Sequence, residues 1–140
     1  LLINDRVDVA LACGAHGVQL GARGLRAADA RRLLGDRSLL GVSVHSSEEA
    51  DAAAGADFLL VGTLFPTASH PERKGAGTQL LRRLANLALS QIGIGGITTE
   101  RVAEVRRAGA AGIAVLSGVW QAEEPGRAVE EYLRAWKEGE

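Results

Sequence analysis

The sequence predicts an α/β protein, a (β/α)8 TIM barrel in a truncated form with about six βα units. Three observations lead there. Apolar runs of strand length alternate strictly with segments of helical period, the pattern of a parallel sheet joined by right-handed crossovers. A repeat recurs three times, as C-G-A-H-G-V-Q-L-G from Cys13, A-G-A-D-F-L-L-V-G from Ala54 and A-G-A-A-G-I-A-V-L-S-G from Ala108. Each copy is a glycine helix stop, a short turn and a near-continuous apolar strand, as expected of strands buried on both faces. Finally, the chain has 140 residues, no methionine and a bulky Leu1. A doubly wound sheet of six strands satisfies the count. Barrels start near 200 residues, however, so one lacking its first two units, roughly 60 residues, fits better.

Leu1 to Asn4 is a short apolar run, and Val7, Ala10, Leu11 and Gly14 then recur at helical spacing, giving strand then helix. Gly14-Ala15 stops that helix. Gly17 to Leu20 is the next strand, followed by a loop from Gly21 to Arg26 and a helix carrying Ala30, Leu33 and Leu34. Leu39 to Val44 is the third strand. Ser46 and Glu49 form a capping box that opens an alanine-rich helix ending at Gly55, and Phe58 to Gly62 is the fourth strand. The polar loop from Thr63 to Gly77 is longer than a connection requires, which marks it as functional. Leu80, Leu81, Leu84 and Leu87 build the next helix. Two strands follow, Gln91 to Ile94 and Gly112 to Leu116, separated by a helix starting at Thr98 or Thr99 with Val102 and Val105 inward. A last helix begins near Pro125 and carries Ala128, Val129, Tyr132, Leu133 and Trp136 on one face.

Composition narrows the function. One core is affordable at 46% hydrophobic and 24% charged residues, so residues 1–140 are expected to form a single domain. Sixteen basic against 17 acidic residues, a net charge of −1, give no electrostatic reason for a nucleic-acid or anionic-membrane partner. The single Cys13 excludes an internal disulfide, and no apolar run approaches the roughly 20 residues of a membrane span. A cytoplasmic protein with a small-molecule partner is the expectation, homo-oligomerisation being left open.

The chemistry concentrates around Q-I-G-I-G-G-I-T-T, from Gln91 to Thr99. A buried strand runs there into Gly95 and Gly96 and then into a helix, so that bare backbone N–H groups and a helix start face the same point. The following strand ends in Ser117-Gly118, which adds a hydroxyl and another bare backbone. Two adjacent strand ends of this kind make a phosphate grip. A tight turn explains the glycines of either one alone.

In order and at matching spacing, L-I-N-D-R-V-D-V-A-L from Leu2, G-V-Q-L-G from Gly17, G-V-S-V-H-S from Gly41, V-G-T-L-F-P-T from Val61, I-G-G-I-T from Ile94 and V-L-S-G from Val115 resemble the thiamine phosphate synthase/TenI family of thiamine biosynthesis. The resemblance covers essentially the whole chain and implies strands three to eight of its barrel. In the synthase, it implies the joining of a pyrimidine diphosphate to a thiazole phosphate with Mg²⁺. Asn4 and Asp5 then match diphosphate- and metal-holding positions, and Ser43 matches a substrate contact. Thr67 and Ser69 match the diphosphate-loop hydroxyls, while Gly95, Gly96 and Ser117 match the thiazole phosphate grip, to which the strand end adds Gly118.

Two departures count against the synthase. Its second metal carboxylate falls on Gly24, and its diphosphate lysine on His70. A TenI-like thiazole tautomerase, which shifts a proton and needs no cofactor, is therefore the favoured expectation, with Gln19 and the Arg23 loop in its support. The TenI histidine falls on Thr63, so the catalytic candidates become His70, which titrates near neutral on the loop at the phosphate end, and then His45. His45 is more simply explained as a residue bonding a helix start, and Asp5 is equally explained as an N-cap. Thiamine phosphate synthase, with Asp5 as a metal ligand, is one alternative; a non-catalytic phosphate-binding regulator is the other.

Overall fold

The computed structural model describes residues 1–67 and 75–139. Among the described residues there are six strands, β1 (Leu2–Asn4), β2 (Gly17–Leu20), β3 (Leu39–Val44), β4 (Phe58–Val61), β5 (Ser90–Ile94) and β6 (Gly112–Ala114). The helices are α1 (Val7–Cys13), α2 (Ala27–Leu34), α3 (Ser47–Asp51), α4 (Gln79–Leu84), α5 (Val102–Arg107), α6 (Ser117–Trp120) and α7 (Pro125–Glu138), with a 3₁₀ turn at Thr99–Arg101 leading into α5. Each strand is hydrogen-bonded to the one that follows it in the chain. A doubly wound sheet reverses its strand order part-way. The unbroken succession here excludes that alternative and agrees with a truncated barrel.

By contact density the chain divides into two compact units, Leu1–Leu60 with Ala88–Ser90, and Val61–Leu87 with Gln91–Glu140. In the first, β1, β2 and β3 pair in parallel, with Asn4 opposite Gln19 and Gln19 opposite Gly41. Val18, Leu20 and Leu40 from the strands pack with Val7 and Ala10 of α1 and Ala27, Ala30 and Leu34 of α2 into one buried cluster. The small alanines let the short helices lie close to the sheet. Gly14 closes α1 in the left-handed conformation, φ 66°, its N–H returning to the carbonyls of Ala10 and Leu11. Arg31 fastens the opposite end of the strands. Its guanidinium donates to the carbonyls of Gly55, Gly35 and Ser38 at 2.8 to 3.0 Å and to Asp57 Oδ2 at 2.7 Å, the same oxygen that accepts the Leu40 N–H.

In the second unit β5 and β6 pair in parallel, with Gly93 opposite Ile113. A Cβ on Gly93 would lie 2.8 Å from Val105 Cγ1 and 2.9 Å from Leu64 Cδ1, so the glycine admits both side chains against the strand. The segment after β4 continues the ladder, Leu64 N–H donating to Ile94 O and Phe65 N–H to Gly95 O. Along α7, Tyr132 donates to Ile97 O at 2.9 Å, and Trp136 lies under the Arg106 guanidinium at 5.2 Å.

Several boundaries differ from the sequence reading. The alanine-rich helix ends at Asp51 and gives way to turns before Gly55, whose φ of 96° no α-helix accommodates. The sixth strand stops at Ala114, and Ser117 opens the unforeseen α6. Val129 and Leu133, assigned to the packed face of α7, are 41% and 56% exposed; the helix rests instead on Ala128, Tyr132, Ala135 and Trp136. No helix among the described residues is long and apolar enough to cross a membrane.

Candidate functional site

At the C-terminal ends of β1 to β3, strand pairing alone sets Asn4, Gln19 and Gly41 in one row, with Ser43 two residues further along. Gln19 Nε2 donates to Ser43 Oγ at 3.0 Å. Its carboxamide lies over Gly41, where any Cβ would strike Gln19 Oε1 and the Phe58 ring. Asn4 Nδ2 donates to Asp5 Oδ2 at 2.9 Å. Asp5 is not the N-cap of α1: Arg6 holds that position without a side-chain bond. The Asp5 carboxylate turns instead to the next loop, where Oδ1 accepts the Gly21 N–H at 2.7 Å.

His45 follows β3 directly. Its ring Nδ1 lies 3.1 Å from Glu49 Oε2, the same oxygen that accepts the His45 backbone N–H at 2.7 Å. The capping box thus forms with a variation. Glu49 N–H donates to Ser46 Oγ at 3.2 Å, while the Glu49 carboxylate reaches one residue beyond the N-cap to His45. Sequence reasoning gave Glu49 only a capping role and missed that it also orients an imidazole, leaving Nε2 outward.

In the second unit Gly95 and Gly96 both take positive φ, 98° and 60°. Close packing accounts for both. A Cβ on Gly95 would lie 2.6 Å from Thr63 Cγ2, and one on Gly96 would lie 2.7 Å from Phe65 O and collide with Pro66 O. The space beside the Gly96 Cα is therefore filled by the Phe65-Pro66 backbone, so packing as well as backbone conformation calls for glycine there. What the turn does offer is backbone. Among the described residues the N–H groups of Gly96, Ser117 and Gly118 donate to no backbone carbonyl. Gly118 packs against the Tyr132 hydroxyl. Arg101, which nothing in the sequence singled out, donates to Gly96 O at 3.0 Å and stacks over the Phe65 ring at 4.5 Å, clamping the glycine turn to the loop after β4. Thr67 is partly buried at the end of the described part of that loop. Ser69 and His70 lie outside the described residues.

The family model described as thiamine monophosphate synthase matches residues 1–119. This chain belongs to that family. It is 48% identical over 84% of its length to the thiamine-phosphate synthase of Methanoregula boonei, and 44% identical over 94% to that of Xanthomonas campestris pv. campestris. It spans 56% and 65% of those two proteins. Among solved structures, the thiamine phosphate pyrophosphorylase of Pyrococcus furiosus superposes with a TM-score of 0.88 at 38% identity, covering 99% of this chain and 67% of that one.

Mg²⁺, implied by the synthase resemblance, is a poor fit to the residues present. A small hard cation of this kind requires near-octahedral oxygen ligands. Both Asp5 oxygens already accept protein N–H groups, and position 24, where the synthase resemblance calls for a second metal carboxylate, is glycine.

Proposed function

We propose that residues 1–140 form part of a single barrel domain, corresponding to strands three to eight, in an enzyme that produces thiamine phosphate by joining a pyrimidine diphosphate to a thiazole phosphate. The observation that carries this reading is the run of relatives named thiamine-phosphate synthase at 40% to 48% identity across 84% to 99% of the chain. In it the thiazole phosphate sits on the N–H groups of Gly95, Gly96, Ser117 and Gly118, which hold a monoester without side-chain charge. Asn4, Ser43, Thr67 and Ser69 contact the diphosphate-bearing partner.

A second reading is favoured by one feature. With glycine at 24 and histidine at 70, the chain lacks two groups that the synthase resemblance calls for in diphosphate departure. A TenI-like tautomerase requires only a phosphate grip and a base, here His70, with His45 on its Glu49 support as the lesser candidate.

Full-length protein supplied with both precursors decides between them. Formation of thiamine phosphate upholds the synthase. Turnover of a thiazole carboxylate phosphate without condensation upholds the tautomerase, and His70→Ala should then lower kcat by about 10²-fold with little change in KM. Thiazole phosphate binding with neither activity marks a regulator.

A further inference from the structure

The Asp5 carboxylate accepts two hydrogen bonds, one from the backbone of the loop after β2 and one from the Asn4 side-chain amide. Asp5 takes φ 58°, in the left-handed region, although it is not glycine. Its N–H donates to Gln19 O at 2.9 Å, extending the β1–β2 ladder by one rung, and the left-handed turn swings the side chain across the end of β2. There Oδ1 takes the N–H of Gly21, the first residue after β2. Gly24 N–H donates to Gly21 O at 3.0 Å and closes a four-residue turn, Gly21 to Gly24, around the carboxylate. Either oxygen would lie 3.6 Å from a Cβ on Gly21, and Oδ1 only 2.6 Å from a Cβ on Gly24.

We propose that Asp5 is the fastening of the β2–α2 turn, occupying the space that a side chain at position 24 would need, and that it is therefore not a ligand of a divalent cation. The near neighbours of the carboxylate are donors, the Gly21 N–H on Oδ1 and the Asn4 amide on Oδ2, and position 24, where the synthase resemblance calls for a second metal carboxylate, is glycine. A bond from a backbone N–H to a carboxylate is short and about twice as strong as its neutral counterpart, which suits a fastening. The same contact explains why position 24 is glycine, whereas a Cβ at position 21 would make only ordinary van der Waals contact with the carboxylate. This inference holds whichever reaction the protein performs.

Full-length protein tests both halves. Mn²⁺ binding, followed by electron paramagnetic resonance with and without inorganic pyrophosphate, should give the same metal count per chain in wild type and Asp5→Asn. One further Mn²⁺ in wild type under either condition overturns the proposal. Asp5→Asn, whose amide oxygen still accepts the Gly21 N–H through an uncharged bond, whose NH2 group faces the Asn4 amide and which tolerates positive φ, should lose less in melting temperature than Asp5→Ala, which falls by several degrees. An equal fall in both variants overturns the fastening. Gly24→Ala should destabilise the wild type and cost much less in the Asp5→Ala background; additive losses count against the shared space. If Gly24→Ala does not fold, the comparison of Asp5→Asn with Asp5→Ala decides.

Discussion

At the scale of single residues, the glycines of this chain carry two messages that sequence alone does not separate. Gly95-Gly96 was legible as a special turn because two glycines follow an abrupt end to a strand. That Phe65 and Pro66 lean on Gly96 was not, because a contact across about 30 residues leaves no local pattern. Gly96→Ala should therefore do more than perturb ligand binding. A left-handed φ of 60° and a Cβ pressed against the Phe65 carbonyl together cost about 1–3 kcal/mol, read as a lower urea midpoint at unchanged slope in ligand-free protein. Stability equal to wild type would show that the turn and the loop after β4 part freely. Asp5 makes the same point from the other side. Its type and place suggested a cap or a ligand, and only the fold, which brings Gly21 within 2.7 Å, reveals its partner.

Elements were legible where their period was strong. All six strands fall within a residue or two of their expected positions, because short apolar runs bounded by turn residues mark them, three of the runs in repeats that couple a glycine stop to the strand. The losses are short pieces, α3 and α6, whose extent is set by backbone conformation rather than by an amphipathic pattern. Neither did sequence mark Arg31, which ties the ends of α2 and β3 to the turn at Gly55 and to Asp57 with its side chain only 17% exposed. Arg31→Ala strands three carbonyls and should cost about 2–3 kcal/mol, whereas breaking the exposed Arg127–Glu131 pair should cost less than about 0.5 kcal/mol by the same denaturant assay.

On α7 the Tyr132 phenol donates to Ile97 O, and burial, aided by the nearby Glu100 charge, raises its pKa above the usual 10. A raised pKa means that the neutral form is favoured in the folded state. This contribution is complete below the unfolded value and lost as pH rises through the folded one. Tyr132→Phe should be less stable than wild type by about 1 kcal/mol near neutral pH, with the gap narrowing well above about pH 10. A gap that stays constant in alkaline urea melts would show that the phenol titrates alike in the folded and unfolded chains.

Over the whole molecule, the strand order was predictable from alternation alone, since helical connections between successive parallel strands admit few arrangements. How much apolar surface the 140 residues leave uncovered was not, because the sequence cannot say which side chains find a neighbour. Trp120 is 74% exposed, and Leu116 and Leu133 are 63% and 56% exposed, beside a groove of about 330 Å³ lined by Ile113, Val119, Val129 and Trp136. Leu1 and Leu39 are also exposed, at 75% and 48%. Apolar patches on a stable monomer seldom exceed a few hundred Å², and a strand edge beside one is a template for association. Expressed by itself, the 140-residue chain should therefore self-associate in a concentration-dependent way. Sedimentation velocity across a dilution series is the measurement, and Trp120→Glu with Leu116→Lys should shift the distribution toward monomer without lowering the urea midpoint, because neither side chain is buried in the fold. A wild-type chain that stays monomeric at high concentration and unfolds in one cooperative step would mean that these side chains are tolerated as surface.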